Sequence, residues 1–495
     1  MARRADDIDD RTPLAGARID VAARIGWLLR TSRMAAGVRM REFGDLAGAG
    51  AHLSPATLSR VENAGRRSGT VIDAYERALG LPYGQLRAPI DVLSRTFSYA
   101  PEDVEPYTPE ATLAGFSSSC VAVLDEPAGC DWLRFAEYHA HTPFGLPEAA
   151  VRPHIEHLVS EVGRSAGTGY QLRYEALAKL RCSAYGDIVA DEIRAAVLAP
   201  GMQRAYDLLS AVTERPTPEL VHWCGELLAH PSWQIARASC LGIQNMRSVG
   251  GLRTRDWLPL VAPFAAACIA AVDDSRRGPI LSATLASCPP EFRREVRTAV
   301  GFDLPPPRKA ATWTHSRRNR HFAHAARISA EIAGNTAGES VLTRLLFEVL
   351  YDFRATHVVT SGFLLVASPF SEAVREQLCI AALEGPDETT RHGAAYAFAN
   401  LMVPFEVADP APWLASSDPA LRAAGLSICG FAGVPLPAAT LTDLVAADDE
   451  VSRDALFAAG MAGQPELVTI ASSHAEAAIR DAAQWWINAG GRVVG

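Results

Sequence analysis

The chain has 495 residues, 48% of them hydrophobic and 21% charged, with a net charge of −9. That length exceeds one compact core, and no uninterrupted apolar run is long enough to span a bilayer. Nine cysteines stand singly with no CxxC, which argues against a disulfide framework or a zinc ribbon and fits a reducing, cytoplasmic setting.

Charge is unevenly spread. Residues 1–95 hold 15 Arg against 11 acids, and 22–70 hold 8 Arg against 3. A basic head on an acidic remainder suits a polyanion ligand for the head. Residues 1–18 are charged without an apolar stretch and are expected to form a disordered tail.

Within the head, Asp20 can cap a helix over 21–36, with Ile25, Leu28 and Leu29 on one face and Gly37 as its C-terminal stop. A short helix over about 40–47 would bury Phe43 and Leu46. The third helix starts at Ser54, whose hydroxyl is an N-cap and which Pro55 follows at the tolerated first position. It runs to Asn63, with Leu58 and Val61 inward. A fourth helix over 71–79 and a short turn near 83–86 complete the head.

Three segments carry a resemblance: LLRTSRMAAG at 28–37, SPATLSRVENAG at 54–65 and ERALGL at 76–81. In this order they are similar to the XRE-type, lambda-repressor-like helix-turn-helix family. Two features depart from its pattern. The link between the second and third helices, through 48–52, is about four residues longer, and Met40 stands where the family usually has Gln. The resemblance implies a domain over 19–90 that binds double-stranded DNA and regulates transcription.

Its third helix would enter the major groove N-terminus first. The residues expected at the DNA are Ser54, Pro55, Ala56, Thr57, Ser59 and Arg60. Arg60 is the candidate for guanine, and Arg39, Arg41, Arg66 and Arg67 are candidates for phosphates. Symmetric half-sites imply a homodimer.

A proline- and acid-rich stretch at 98–130 marks a boundary, and 91–148 is expected to be a partly ordered connector. From 149 to 495 a phrase recurs in which an Arg follows an Asp or Pro and opens an Ala/Leu-rich helix. Arg391, Arg422, Arg453 and Arg480 stand 31, 31 and 27 apart, and Arg173, Arg204 and Arg237 stand 31 and 33 apart. A period near thirty predicts stacked helical hairpins. The pattern resembles short bacterial HEAT-like repeats. The fold expected is thus all-α: an N-terminal helix-turn-helix bundle followed by an α-solenoid. The repeated arginines are read as structural, bonding the turn beside each helix start.

Two local features could carry chemistry. Residues 308–327 hold Arg308, Lys309, Arg317, Arg318 and Arg320 without an acid, interleaved with Trp313 and Phe322. They form a candidate site for a small anionic effector or for nucleic acid. His139, His141, His154 and His157 lack the spacing of a metal site. No catalytic motif, cofactor site or metal site is read from the chain. The alternatives are a helical-repeat scaffold in signalling or phage defence that docks a protein partner, and a HEAT-like DNA glycosylase. The glycosylase would need an Asp beside an aromatic platform.

Overall fold

In a computed structural model the described residues are 20–46, 53–64, 69–97, 112–274, 276–304, 315–333, 340–352, 354–401, 409–446 and 450–495. Regular structure among them is entirely helical. No helix among them is long and apolar enough to cross a membrane. The expected tail at 1–18 lies outside the described residues.

The head comprises α1 (Val21–Ala35), α2 (Met40–Leu46), α3 (Pro55–Ala64), α4 (Gly69–Ala78) and α5 (Arg87–Thr96). Asp20 caps α1 by accepting from the Ala23 N–H at 3.0 Å. At the other end Gly37 adopts φ +71°, which turns the chain so that the Val38 N–H reaches the Arg33 carbonyl at 3.2 Å. Ile25, Leu28, Leu29, Phe43, Leu58, Val61, Ile72 and Tyr75 close the core between these helices. Leu46, expected in that core, is exposed instead.

The fifth helix departs from the sequence reading. Residues 83–86 form only the turn, and the helix follows at 87–96. Glu76 anchors its start: the buried carboxylate accepts from the N–H groups of Gly84, Leu86 and Arg87 at 2.8, 2.8 and 3.0 Å. The Leu86 and Arg87 N–H groups are among the donors that a helix N-terminus leaves unpaired.

Behind the head, helices pack in two rows. In the first, Gly129–His141, Gly167–Arg181, Ala205–Thr213, Trp233–Val249 and Arg277–Ser287 pack each on the next. In the second, Ser340–Tyr351, Glu388–Asn400, Pro419–Ala432, Glu450–Ala462 and Ala477–Ala489 do the same. The intervening helices pack against members of the rows, burying apolar faces that a lone helix could not cover. The first row starts inside the range expected as connector. Trp132, Leu133, Phe135 and Ala136 of its first helix are all fully buried.

Two of the recurrent arginines, Arg391 and Arg480, bond the turn beside a helix start, whereas Arg173 lies within the helix Gly167–Arg181 and donates to Glu161 and the carbonyls of Pro127 and Gly495. Asp387 caps its helix by accepting from the Thr390 N–H at 2.8 Å, and Arg391 donates back to the Gly385 carbonyl at 3.2 Å. Arg480 reaches the His474 and Ala475 carbonyls at 2.6 and 2.7 Å, and Arg277 reaches those of His230 and Pro231. Arg391 and Arg480 satisfy carbonyls of the turn just before their own helices, and Arg277 those of the turn before the neighbouring helix Trp233–Val249.

The rows meet. Gln171 donates to the Phe363 carbonyl at 3.2 Å, and the Arg204 guanidinium lies 5.0 Å from the Phe457 ring centre. Arg173 and Arg164 donate to the carbonyls of Gly495 and Gly491 at 2.6 and 2.7 Å. The head is built into this assembly: its apolar core is continuous with that of the second row, from Ala325 to Ala432.

Candidate nucleic-acid interface

The inner face of α3 is fixed by charge as well as by apolar packing. Arg33 of α1 pairs with Glu62 of α3 through Nε and Nη2 at 2.5 and 2.8 Å, and the Tyr75 hydroxyl donates to the same carboxylate at 2.7 Å. The hydrogen bond to Glu62 raises the Arg33 pKa further and outweighs burial. A third Arg33 N–H satisfies the Val38 carbonyl at 2.8 Å. Gly26 of α1 lies so close to α3 that a Cβ there would sit 2.3 Å from the Glu62 carbonyl oxygen. Three helices are thus tied at one point.

With Leu58, Val61 and Glu62 turned inward, the opposite face of α3 meets solvent. Ser54, Pro55, Ala56 and Arg60 are exposed, and Thr57 and Ser59 are half-buried. Ser54 Oγ accepts from the Thr57 N–H at 3.2 Å, which confirms it as the N-cap. Arg60 reaches outward, with no acidic partner recorded for it among the described residues.

Arg39, just before α2, and Arg41, in its first turn, lie on the helix that packs on α3, with side chains 67% and 71% exposed. Their nearest acid is Glu42, at the long distances of 3.8 and 3.9 Å, a pairing worth little in water. Arg66 and Arg67 lie outside the described residues. The sequence reading missed Asn63. It is exposed one turn beyond Arg60, and its amide donates to the Ser59 carbonyl at 2.8 Å. The three-residue step from Arg60 places it on the same face, and its side chain offers the donor–acceptor pair that reads adenine.

The second predicted cluster is only partly described. Arg308 and Lys309 lie outside the described residues. Arg317, Arg318 and Arg320 fall on the helix His315–Ala333, and of these only the Arg320 side chain is described, exposed. It lies within electrostatic reach of Asp387. Burial pushes that carboxyl up, but its hydrogen bonds from Thr390, with His321 and Arg320 nearby, hold it below the usual range. Along the same helix His321 stacks on Tyr351 with ring centres 4.1 Å apart.

His139 and His154 both pack on Phe135, at ring-centre distances of 4.0 and 5.4 Å. His139 is buried against Phe116 and Phe135, with Nδ1 2.8 Å from the Phe135 carbonyl, and burial lowers its pKa. His157 contacts Glu161 at 3.0 Å.

One group with metal-ligand chemistry does converge. Glu348, Asp352 and His357 are buried with ligand atoms within 4.8 Å of one another. Guanidiniums already neutralise it. Glu348 accepts from Arg24 at 2.8 and 3.0 Å and from Arg344 at 2.8 Å, and Asp352 pairs with Arg354 at 2.6 Å. A divalent cation would have to displace them or sit among like charges. The cluster is an ion-pair knot between head and second row.

No family model and no curated protein matches this chain. Among solved structures, an engineered protein from a structural genomics consortium aligns over 76% of this chain and 98% of its own, at 13% identity and a TM-score of 0.23. That likeness is too slight to carry an argument about fold or function.

Proposed function

We propose that this chain is a sequence-specific DNA-binding transcriptional regulator. In this reading α2 and α3 form an XRE-type helix-turn-helix, and the two helical rows form an α-solenoid of HEAT-like hairpins. The body serves pairing of two copies, partner docking or effector sensing, in the cytoplasm. One observation carries the reading: α3 is locked to α1 by the Arg33–Glu62–Tyr75 cluster, while Ser54, Pro55, Ala56, Arg60 and Asn63 face solvent, and Arg39 and Arg41 at the start of the neighbouring α2 are exposed. A helix pinned on one side and polar on the other, with exposed cations at the start of the neighbouring helix, is what major-groove reading requires.

The parts divide the work by chemistry. Arg60 supplies a planar fork for guanine O6 and N7, Asn63 an amide for adenine, and Pro55 and Ala56 apolar contact for a thymine methyl. Arg39 and Arg41 neutralise phosphates and set the register. The acidic body repels the remaining backbone and confines contact to the head.

The reading is tested by titrating the full chain onto random-sequence duplex DNA and measuring affinity against salt. Binding that weakens linearly in log–log form, with a slope of magnitude near 0.9 per neutralised phosphate, is expected. No binding at low salt would reject it.

A further inference from the structure

Residues 490–495 leave the last helix of the second row and touch both rows. Gly490 and Gly491 turn the chain there with φ +86° and +81°, values that suit glycine. Beyond them the backbone bonds alternately to either side, as an extended chain does. Arg492 faces the second row. Its N–H donates to the Met461 carbonyl at 3.1 Å and its Nη1 to the Ala432 carbonyl at 2.6 Å, at the ends of the helices Glu450–Ala462 and Pro419–Ala432. Gly491, Val493 and Gly495 face the first row. The Gly491 carbonyl accepts from Arg164 at 2.7 Å, and the Val493 N–H donates to the Arg164 carbonyl at 2.9 Å. The Gly495 carbonyl accepts from Arg173 at 2.6 Å and from the Gly129 N–H at 3.3 Å.

The seat on the first row is held in place by bonds that do not involve the strap. Arg173 is fully buried and is fixed by Glu161 through Nε at 2.7 Å and by the Pro127 carbonyl through Nη2 at 2.8 Å. Arg164 is buried, with Nε bonded to the Ser160 carbonyl at 2.9 Å. Each guanidinium thus turns a charged N–H towards a strap carbonyl. Gly169 contributes by lacking a side chain, since a Cβ there would lie 2.6 Å from the Gly495 carbonyl oxygen. The strap is lightly held in return. Its bonds to the first row are made by main-chain groups, Val493 is half-buried, and Val494 and Gly495 are exposed. Leaving the seat would uncover little apolar surface and exchange a few hydrogen bonds for those of water. Arg492 would carry the strap away with the second row.

We propose that residues 491–495 are a releasable clasp between the rows. Arg492 fixes the clasp to the second row, and Gly491, Val493 and Gly495 lock that row's end onto Arg164, Arg173 and Gly129 of the first. Release at the first-row seat is the step that lets the two rows part. Opening of a segment held in this way needs far less free energy than unfolding either row. The inference goes beyond the DNA-binding reading and does not depend on it.

The test locks and unseats the clasp in the full-length protein. A Cβ at Gly495 would lie 3.5 Å from the Ala128 Cβ, within disulfide reach. The double variant Ala128→Cys, Gly495→Cys should therefore form an intrachain link between those positions on mild oxidation, found by peptide mapping and absent from either single variant. Gly169→Ala should unseat the strap yet keep its own helix, since alanine suits a helix better than glycine. Amide hydrogen exchange at Val493 should be about tenfold faster in Gly169→Ala than in the parent, and about tenfold slower in the linked protein than in its reduced form. The radius of gyration from X-ray scattering should rise in Gly169→Ala and stay parental in the linked protein. Val493→Pro, which removes the N–H bonded to Arg164, should raise it as well. Failure of the link to form, Val493 exchange indifferent to the link or to Gly169→Ala, or a parental radius in both unseated variants would overturn the proposal. Since no DNA is present, each result leaves the DNA-binding reading to its own test.

Discussion

Arg24 of the first helix donates two hydrogen bonds to Glu348, 324 residues later, at 2.8 and 3.0 Å, and both side chains are fully buried. Ser361 donates to the same carboxylate, as does Arg344, and Trp27 stacks near Phe370 with ring centres 6.2 Å apart. On the other flank, α5 engages the first row. Arg95 pairs with Glu175 and Glu214 at 2.8 Å each, and Lys179 pairs with Asp91 at 3.1 Å. The head bridges both rows through buried charge on α1 and α5.

Glu348→Gln should be strongly destabilising. It leaves Arg24 and Arg344 buried with their shared charge partner gone, a loss of about 3–5 kcal/mol for a broken buried pair. Urea denaturation of the variant against the parent measures it, and a change below about 1 kcal/mol would contradict the role given to the knot.

The same carboxylate sets an acid limit. Burial pushes its pKa up, but Arg24 and Arg344 outweigh that and hold it well below the usual range. A depressed carboxyl contributes stability that is fully present above its unfolded value near 4.5 and is lost as pH falls towards the folded value. The denaturation midpoint of the parent should therefore drop from pH 5 downward, and the Glu348→Gln variant should lose less over that interval.

Gly26→Ala tests the crossing of α1 and α3. The new Cβ would meet the Glu62 carbonyl oxygen at 2.3 Å, so the helices must separate. A cost of about 1–3 kcal/mol is expected from such overpacking, with weaker DNA binding because the displaced Glu62 no longer orients α3. A variant with parental stability and binding would show that the contact is slack.

Cysteine reactivity should follow burial. Burial pushes the thiols of Cys224, Cys240, Cys268 and Cys288 up to about 12, whereas Cys182 is exposed. Under brief N-ethylmaleimide treatment of the native protein, mass spectrometry should find Cys182 labelled well before those four.

Local signals in the chain reported local structure well. Ser54 and Pro55 mark the start of α3, Gly37 marks the end of α1, and the Asp–Arg spacing marks helix starts such as Asp387 and Arg391. The outer face of α3 follows from which residues must be inward, so most of the candidate site was legible. The fifth helix was not, because Arg87, Asp91, Ser94 and Arg95 read as solvent-facing, whereas Asp91 pairs with Lys179, Arg95 with Glu175 and Glu214, Arg87 lies among Asp73, Glu137 and the Gly69 carbonyl, and the Ser94 hydroxyl donates to the Ile90 carbonyl. The docking of the head was equally hidden. No pattern in one sequence links Arg24 to a glutamate more than 300 positions away.

The most direct measurement is selection of binding sites by the full-length protein from a pool of random duplexes, run beside Arg60→Ala. The account predicts enrichment of a two-fold symmetric sequence containing guanine, and loss of preference at that guanine in the variant, worth about 1–3 kcal/mol. The Arg39→Ala and Arg41→Ala variants should instead weaken all sequences alike and each lower the salt slope by about one. A pool without enrichment, or an enriched sequence unchanged by Arg60→Ala, would contradict the assignment of α3 as the DNA-reading helix.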